Sequence, residues 1–153
     1  MRLPIRSFGL PLLLALGGCD PAFAIGMRQG LAPPATATCV EATLRTSPRV
    51  TEVTPYDYAS YPIFGVTLRD TTARWGQRPT TVELETRDSS QTLRVKFQWM
   101  GFGGSVPLDQ QERMLAIATD LLAELRTACA PTATTRVECF KGGFGGPTAC
   151  PSK

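Results

Sequence analysis

The chain has 153 residues, 42% hydrophobic and 19% charged, with a formal charge of +3 and no histidine. That length and apolar content suit one compact domain with a real core. The missing histidine excludes Ser-His-Asp and Cys-His catalysis and any histidine-ligated metal centre. The small net charge makes no electrostatic case for nucleic acid or for a polybasic membrane patch.

Arg2 and Arg6 form a short basic start, and Phe8 to Leu16 is an apolar run broken only by Gly9 and Pro11. It is about half of the ~20 residues a helix needs to cross a bilayer, so it reads as an export signal. It ends in Leu16-Gly17-Gly18-Cys19, an aliphatic residue, two small ones and a cysteine, which resembles the lipobox of bacterial lipoproteins. Gly17 is a less usual choice at its position, and the resemblance covers four residues. It implies cleavage before Cys19, diacylation of the thiol and often acylation of the new amino group. At roughly 0.8 kcal/mol per buried CH₂, two or three chains anchor a protein durably.

The expected product is a lipoprotein on the periplasmic face of a bacterial membrane, its lipid-bilayer contact made through acylated Cys19. Asp20 favours the inner membrane under that family's sorting habit. An alternative cleavage site, Ala22-Phe23-Ala24, has the small-x-small form of an ordinary secreted protein and would free the chain at Ile25. On the lipobox reading residues 1–18 are the signal, 19–36 a flexible tether rich in Ala, Pro and Gly, and 37–153 a single α+β domain. Loss of Arg2 and Arg6 lowers the charge of +3 to +1.

Four cysteines remain after Cys19: Cys39, Cys129, Cys139 and Cys150. An even count in an oxidising compartment favours disulfides, with three connectivities open. No pair has CxxC spacing, so no metal ligand set is assigned.

Thr38 to Thr46 has Val40 and Leu44 four apart and Glu41 before Arg45, which predicts a short helix capped by Thr36 or Thr38 and ended before Pro48. Pro48-Arg49-Val50 then turns into a strand expected through about Thr54. The stretch from Cys39 to Val53 resembles the helix, turn and strand of small heavy-metal-associated domains. Their metal site needs a second cysteine three residues before Cys39, where this chain has Thr36, so no metal is carried over. Tyr56, Tyr58 and Tyr61 crowd one loop. They are either a binding surface or a cover for the edge of a small core.

Phe64-Val66-Leu68, Val82-Leu84 and Leu93-Val95-Phe97-Trp99 alternate with polar or small residues, the period of half-buried strands. Asp88 to Gln91 joins the last two strands as a hairpin. An odd register sum is needed to set apolar against apolar, and the expected pairs are Leu84 with Val95 and Val82 with Phe97. Glu85 then lies beside Arg94 and Glu83 beside Lys96 on a solvent-facing side. Residues 70–79, with Trp75, form a connecting loop. A long helix is expected from Asp109 to Ala128. Its capping-box-like pair is Asp109 and Glu112, and its apolar stripe is Met114, Ile117, Leu121 and Leu125. A short strand is expected from Thr135 to Phe140. The stretch Gly-Phe-Gly-Gly occurs twice, at 101–104 and 143–146, without the spacing of a phosphate-binding loop; Phe102 and Phe144 line one edge if their strands are neighbours.

These elements predict an α+β fold with an antiparallel sheet of about four or five strands and two helices on one face, with a ferredoxin-like arrangement as the candidate. Antiparallel helices would bring Cys39 to Cys129 and leave Cys139 to pair with Cys150. No catalytic residue and no cofactor is assigned. The expected function is a non-catalytic binding or envelope-assembly module for an envelope protein or cell-wall component. The alternative is an exported enzyme that uses carboxylates only, such as a glycan hydrolase.

Overall fold

The computed structural model describes residues 23–57, 59–69, 79–99, 106–133, 136–142, 146–148 and 150. The stretch expected to be an export signal, with Cys19, Tyr58, Trp75, Phe102 and Phe144, lies outside the described residues. Strand β1 is Phe23–Leu31 and helix α1 Ala37–Thr46. Strands β2 (Val50–Tyr56), β3 (Ile63–Leu68), β4 (Thr80–Arg87) and β5 (Ser90–Trp99) follow. Helix α2 is Leu108–Cys129, and β6 (Val137–Gly142) and β7 (Gly146–Thr148) complete the chain order.

Among the described residues the strands form one antiparallel sheet of seven, in the order β2-β3-β4-β5-β1-β6-β7. The class is α+β, as expected, with more strands than expected. β1 runs in the same direction as β2 at the far edge, and β5 in the same direction as β6 on the other side of β1. Each helix therefore closes a split β-α-β unit, the device of ferredoxin-like folds. Here the meander β2-β3-β4-β5 puts three strands between β1 and β2. The helices share one face of the sheet: Cys39 of α1 and Cys129 of α2 are bonded with Cα atoms 5.8 Å apart, and Thr43 lies against the same sulfur.

The tether assigned to 19–36 is overturned from Phe23 onward. Ile25, Met27 and Leu31 alternate with Gly26, Arg28 and Gly30, and β1 takes the place between β5 and β6. Its period of two was obscured by small residues and by Gln29, which is buried on the apolar side. Gly26 is small because two neighbours crowd it. A Cβ there would run into the backbone carbonyl of Val95 and come within 2.8 Å of the Phe140 ring.

The core lies between the helices and the sheet. Val40 and Leu44 of α1 and Met114, Leu115, Ala118, Leu121, Leu122 and Leu125 of α2 meet Ile25, Met27, Val53, Val66, Val82, Leu84, Leu93, Val95 and Phe97. Thr36 caps α1 by accepting from the Cys39 amide, and Glu41 pairs with Arg45 at 2.7 Å. α2 begins without a side-chain cap: its N-cap is Pro107, and Asp109 stands inside the first turn. The expected capping box is therefore absent. The backbone amides of Gln110 and Gln111 bond to the Pro107 carbonyl, and the buried Gln111 side chain donates to Val106 at 2.6 Å. Gln91 clasps both backbone groups of Ala35, accepting from its amide and donating to its carbonyl, which fixes the path from β1 into α1.

The β4–β5 hairpin keeps the expected parity with a different register. Val82 pairs with Val95 and Leu84 with Leu93, two residues from the predicted alignment. The turn is tighter than a four-residue loop. Arg87 pairs with Ser90 around Asp88, whose positive φ of 52° an aspartate tolerates.

Candidate functional site

The two faces of the sheet differ in chemistry because period two sorts the residues of each strand. Opposite the helices stand Gly26, Arg28 and Gly30 of β1, Thr92, Arg94 and Lys96 of β5, Thr81, Glu83, Glu85 and Arg87 of β4, and Glu138 and Phe140 of β6, by register.

Glu83 is the centre of this face and is 1% exposed, not solvated as the sequence predicts. Thr81 donates to its Oε1 at 3.0 Å and Arg94 Nη1 to its Oε2 at 3.2 Å, and Lys96 forms an ion pair with Oε1. Arg94 also reaches Glu85 Oε2 from Nη2 at 3.1 Å, and its guanidinium stands 5.7 Å from the centroid of the Phe140 ring. One arginine thus spans two carboxylates and an aromatic face, an arrangement suited to its planar fork. The expected neighbours were Glu85 with Arg94 and Glu83 with Lys96. Both contacts occur, as diagonals of the shifted register, and Glu83 faces Arg94 directly.

The tyrosine loop splits by role. Tyr56 ends β2 and lays its ring over Gly65, where a Cβ would lie 2.5 Å from the phenol oxygen. Tyr61 lies near the Glu83 cluster. Partial burial first, then the carboxylates of Glu83 and Glu85, push its phenol pKa up, while Arg94 opposes the shift. Pro62 of the same loop accepts from the Leu84 amide. Tyr56 covers Gly65 and Tyr61 stands beside Glu83 and Glu85, and Tyr58 lies outside the described residues. The two Gly-Phe-Gly-Gly stretches follow β5 and β6, which are separated by β1, so the condition for a shared phenylalanine edge fails. The disulfides are Cys39–Cys129 and Cys139–Cys150.

The same face holds a trough that sequence reasoning missed. It has a volume of about 340 Å³ and lies at the Gly30 end of β1, lined by residues of β1, β4, β5 and β6 with Arg136. Its floor is made of Gly30, Ser90 and Thr92, small residues that leave room above the sheet. Arg28 is held by Glu138 at 2.8 Å, and Arg94 by Glu83 and Glu85. Arg87 and Arg136, both exposed, have no carboxylate partner among the described residues. Arginines scattered through the sequence gather here through strand order alone, so the only available signal was their period-two placement with Gly30.

Among the described residues no three Cys, Asp or Glu side chains gather to hold a metal ion. No protein-family model, curated protein or solved structure matches this chain.

Proposed function

We propose that the chain is a lipid-anchored protein of a bacterial envelope, acylated at Cys19, whose domain binds a partner and does not transform it. The observation that carries the anchor is where β1 begins. Cleavage before Cys19 leaves the strand whole. Cleavage after Ala24 would remove Phe23 and Ala24, which pair with Trp99, Gln98 and Gly142. It would also leave Ile25, 1% exposed, as a charged amino terminus, a costly burial. The two disulfides support an oxidising compartment outside the cytoplasm.

Three residues separate Cys19 from Phe23, a reach of at most ~14 Å between the two Cα atoms. The domain is then held close to the lipid by the Phe23 end of β1. Gly30 stands seven residues further on, roughly 23 Å along the strand, so the trough lies toward the end of the sheet away from the anchor. The binding role is supported by the fixed charges of the helix-free face. Glu83, Glu85 and Glu138 are each engaged by a cation, as in a surface preorganised for recognition.

The test is the intact mass of the exported protein from a fractionated bacterial host. The expected form is membrane-bound, begins at an acylated Cys19 and gains about 2 Da per disulfide on reduction. Cys19→Ser should abolish the acylation and the membrane association. A soluble, unmodified chain beginning at Ile25 would overturn the anchor.

A further inference from the structure

We infer that the trough at the Gly30 end of the sheet is a binding site for a compact polyanion, an ion or group bearing at least two negative charges. The inference deepens the binding role proposed above and rests on it, but does not require the anchor.

Charge and shape argue together. Four arginines, Arg28, Arg87, Arg94 and Arg136, and two glutamates, Glu85 and Glu138, line the trough. The glutamates are satisfied by Arg28 and Arg94, so Arg87 and Arg136 supply the uncompensated charge. They stand on opposite walls, because β5 and β1 lie between β4 and β6 in the sheet. Three strand spacings separate the walls, roughly 14 Å at the backbone. Side chains of arginine length can close on a guest from both sides. The guanidinium fork matches phosphate and carboxylate oxygens bidentately.

The floor contributes the space and a further donor. Gly30 is paired with Thr92, and Ser90 with Arg87. With no side chain at Gly30 and the Thr92 hydroxyl beside it, a guest can approach the sheet and accept a hydrogen bond from below. Ser90 donates to the Arg87 carbonyl at 2.9 Å, which steadies the wall that carries Arg87. Among the described residues no hydrophobic side chain lines the trough, and its exposed lining is mostly polar, so it suits a charged guest better than an apolar one. Paired arginines at the centre and unpaired ones at the rim make a site already positive before a ligand arrives, which favours anion capture.

The experiment is calorimetric titration of the exported protein, in detergent where it is membrane-bound, with tripolyphosphate and separately with citrate. One saturable site is expected for at least one probe, and its affinity should fall steeply with salt. The preferred probe distinguishes a phosphoryl from a carboxylate source. Arg87→Gln and Arg136→Gln should each weaken binding about tenfold or more, and Gly30→Val should block it. Arg113→Gln, on the exposed side of α2, should leave it unchanged. Thermal unfolding of each variant checks that the fold persists. No saturable binding of either probe, or equal loss in all the arginine variants, would overturn the site. A soluble chain that still binds would remove the anchor and leave the site standing.

Discussion

Glu83 carries more of the structure than its neighbours because its side chain is 2% exposed while Arg94 and Lys96 keep a quarter of theirs. Replacing it with glutamine leaves two cations facing a neutral, poorly matched group. Removing one partner of a buried pair costs about 3–5 kcal/mol, and the partial exposure of the cations lowers the expectation for Glu83→Gln to about 2–3 kcal/mol. Glu138→Gln breaks only the exposed pair with Arg28 and should cost less than about 1 kcal/mol. Urea unfolding of the two variants compares them directly, and equal losses would contradict the burial argument. Alternation alone sorts Glu83, Glu85, Arg94 and Lys96 to one face. Which of them is buried depends on what lies across the strands, and a linear pattern does not carry that.

The elements show the same division. Val82 and Leu84 meet apolar partners in more than one register of odd sum, so hydrophobic matching selects a set of alignments and the turn selects one of them. Asp88 at positive φ permits the tight turn, and the pairs move by two residues. The helices were legible from their apolar spacing, and α1 also from Thr36 at its cap, whereas the start of α2 rests on Pro107 and Gln111 and not on the acidic pair. Their side-by-side packing is tied by Cys39–Cys129, which spans 90 residues, while Cys139–Cys150 spans 11. On a chain-entropy account the long closure contributes roughly 4–5 kcal/mol and the short one about 3 kcal/mol. The pair Cys39→Ala/Cys129→Ala should therefore lower the urea midpoint more than Cys139→Ala/Cys150→Ala. The reverse order would mean that residual structure in the unfolded chain, and not loop length, sets the effect.

For the whole molecule, β1 is the keystone. It joins the meander β2-β3-β4-β5 to β6 and β7, and it supplies Ile25 and Met27 to the core beneath α2. Thr119 of α2 donates to the Met27 sulfur at 3.0 Å. Deleting residues 23–31 would strip β5 and β6 of their shared neighbour and leave two unpaired edges. The expected product has no cooperative thermal transition and elutes as an aggregate on gel filtration; a monomer that melts cooperatively would show that β1 is dispensable. That strand also joins the two ends named in the proposals, the lipid-proximal start at Phe23 and the arginine-walled trough at Gly30. The class of fold, the periods that sort each strand into an apolar and a charged side, and the four cysteines available for bridges were legible in the linear chain, because local spacing decides which face a side chain takes. That β1 is a central strand, that Glu83 is buried and that Arg28, Arg87, Arg94 and Arg136 share one trough came from the folded arrangement. Those outcomes depend on which strands become neighbours, and that choice is made by packing between segments far apart in the chain.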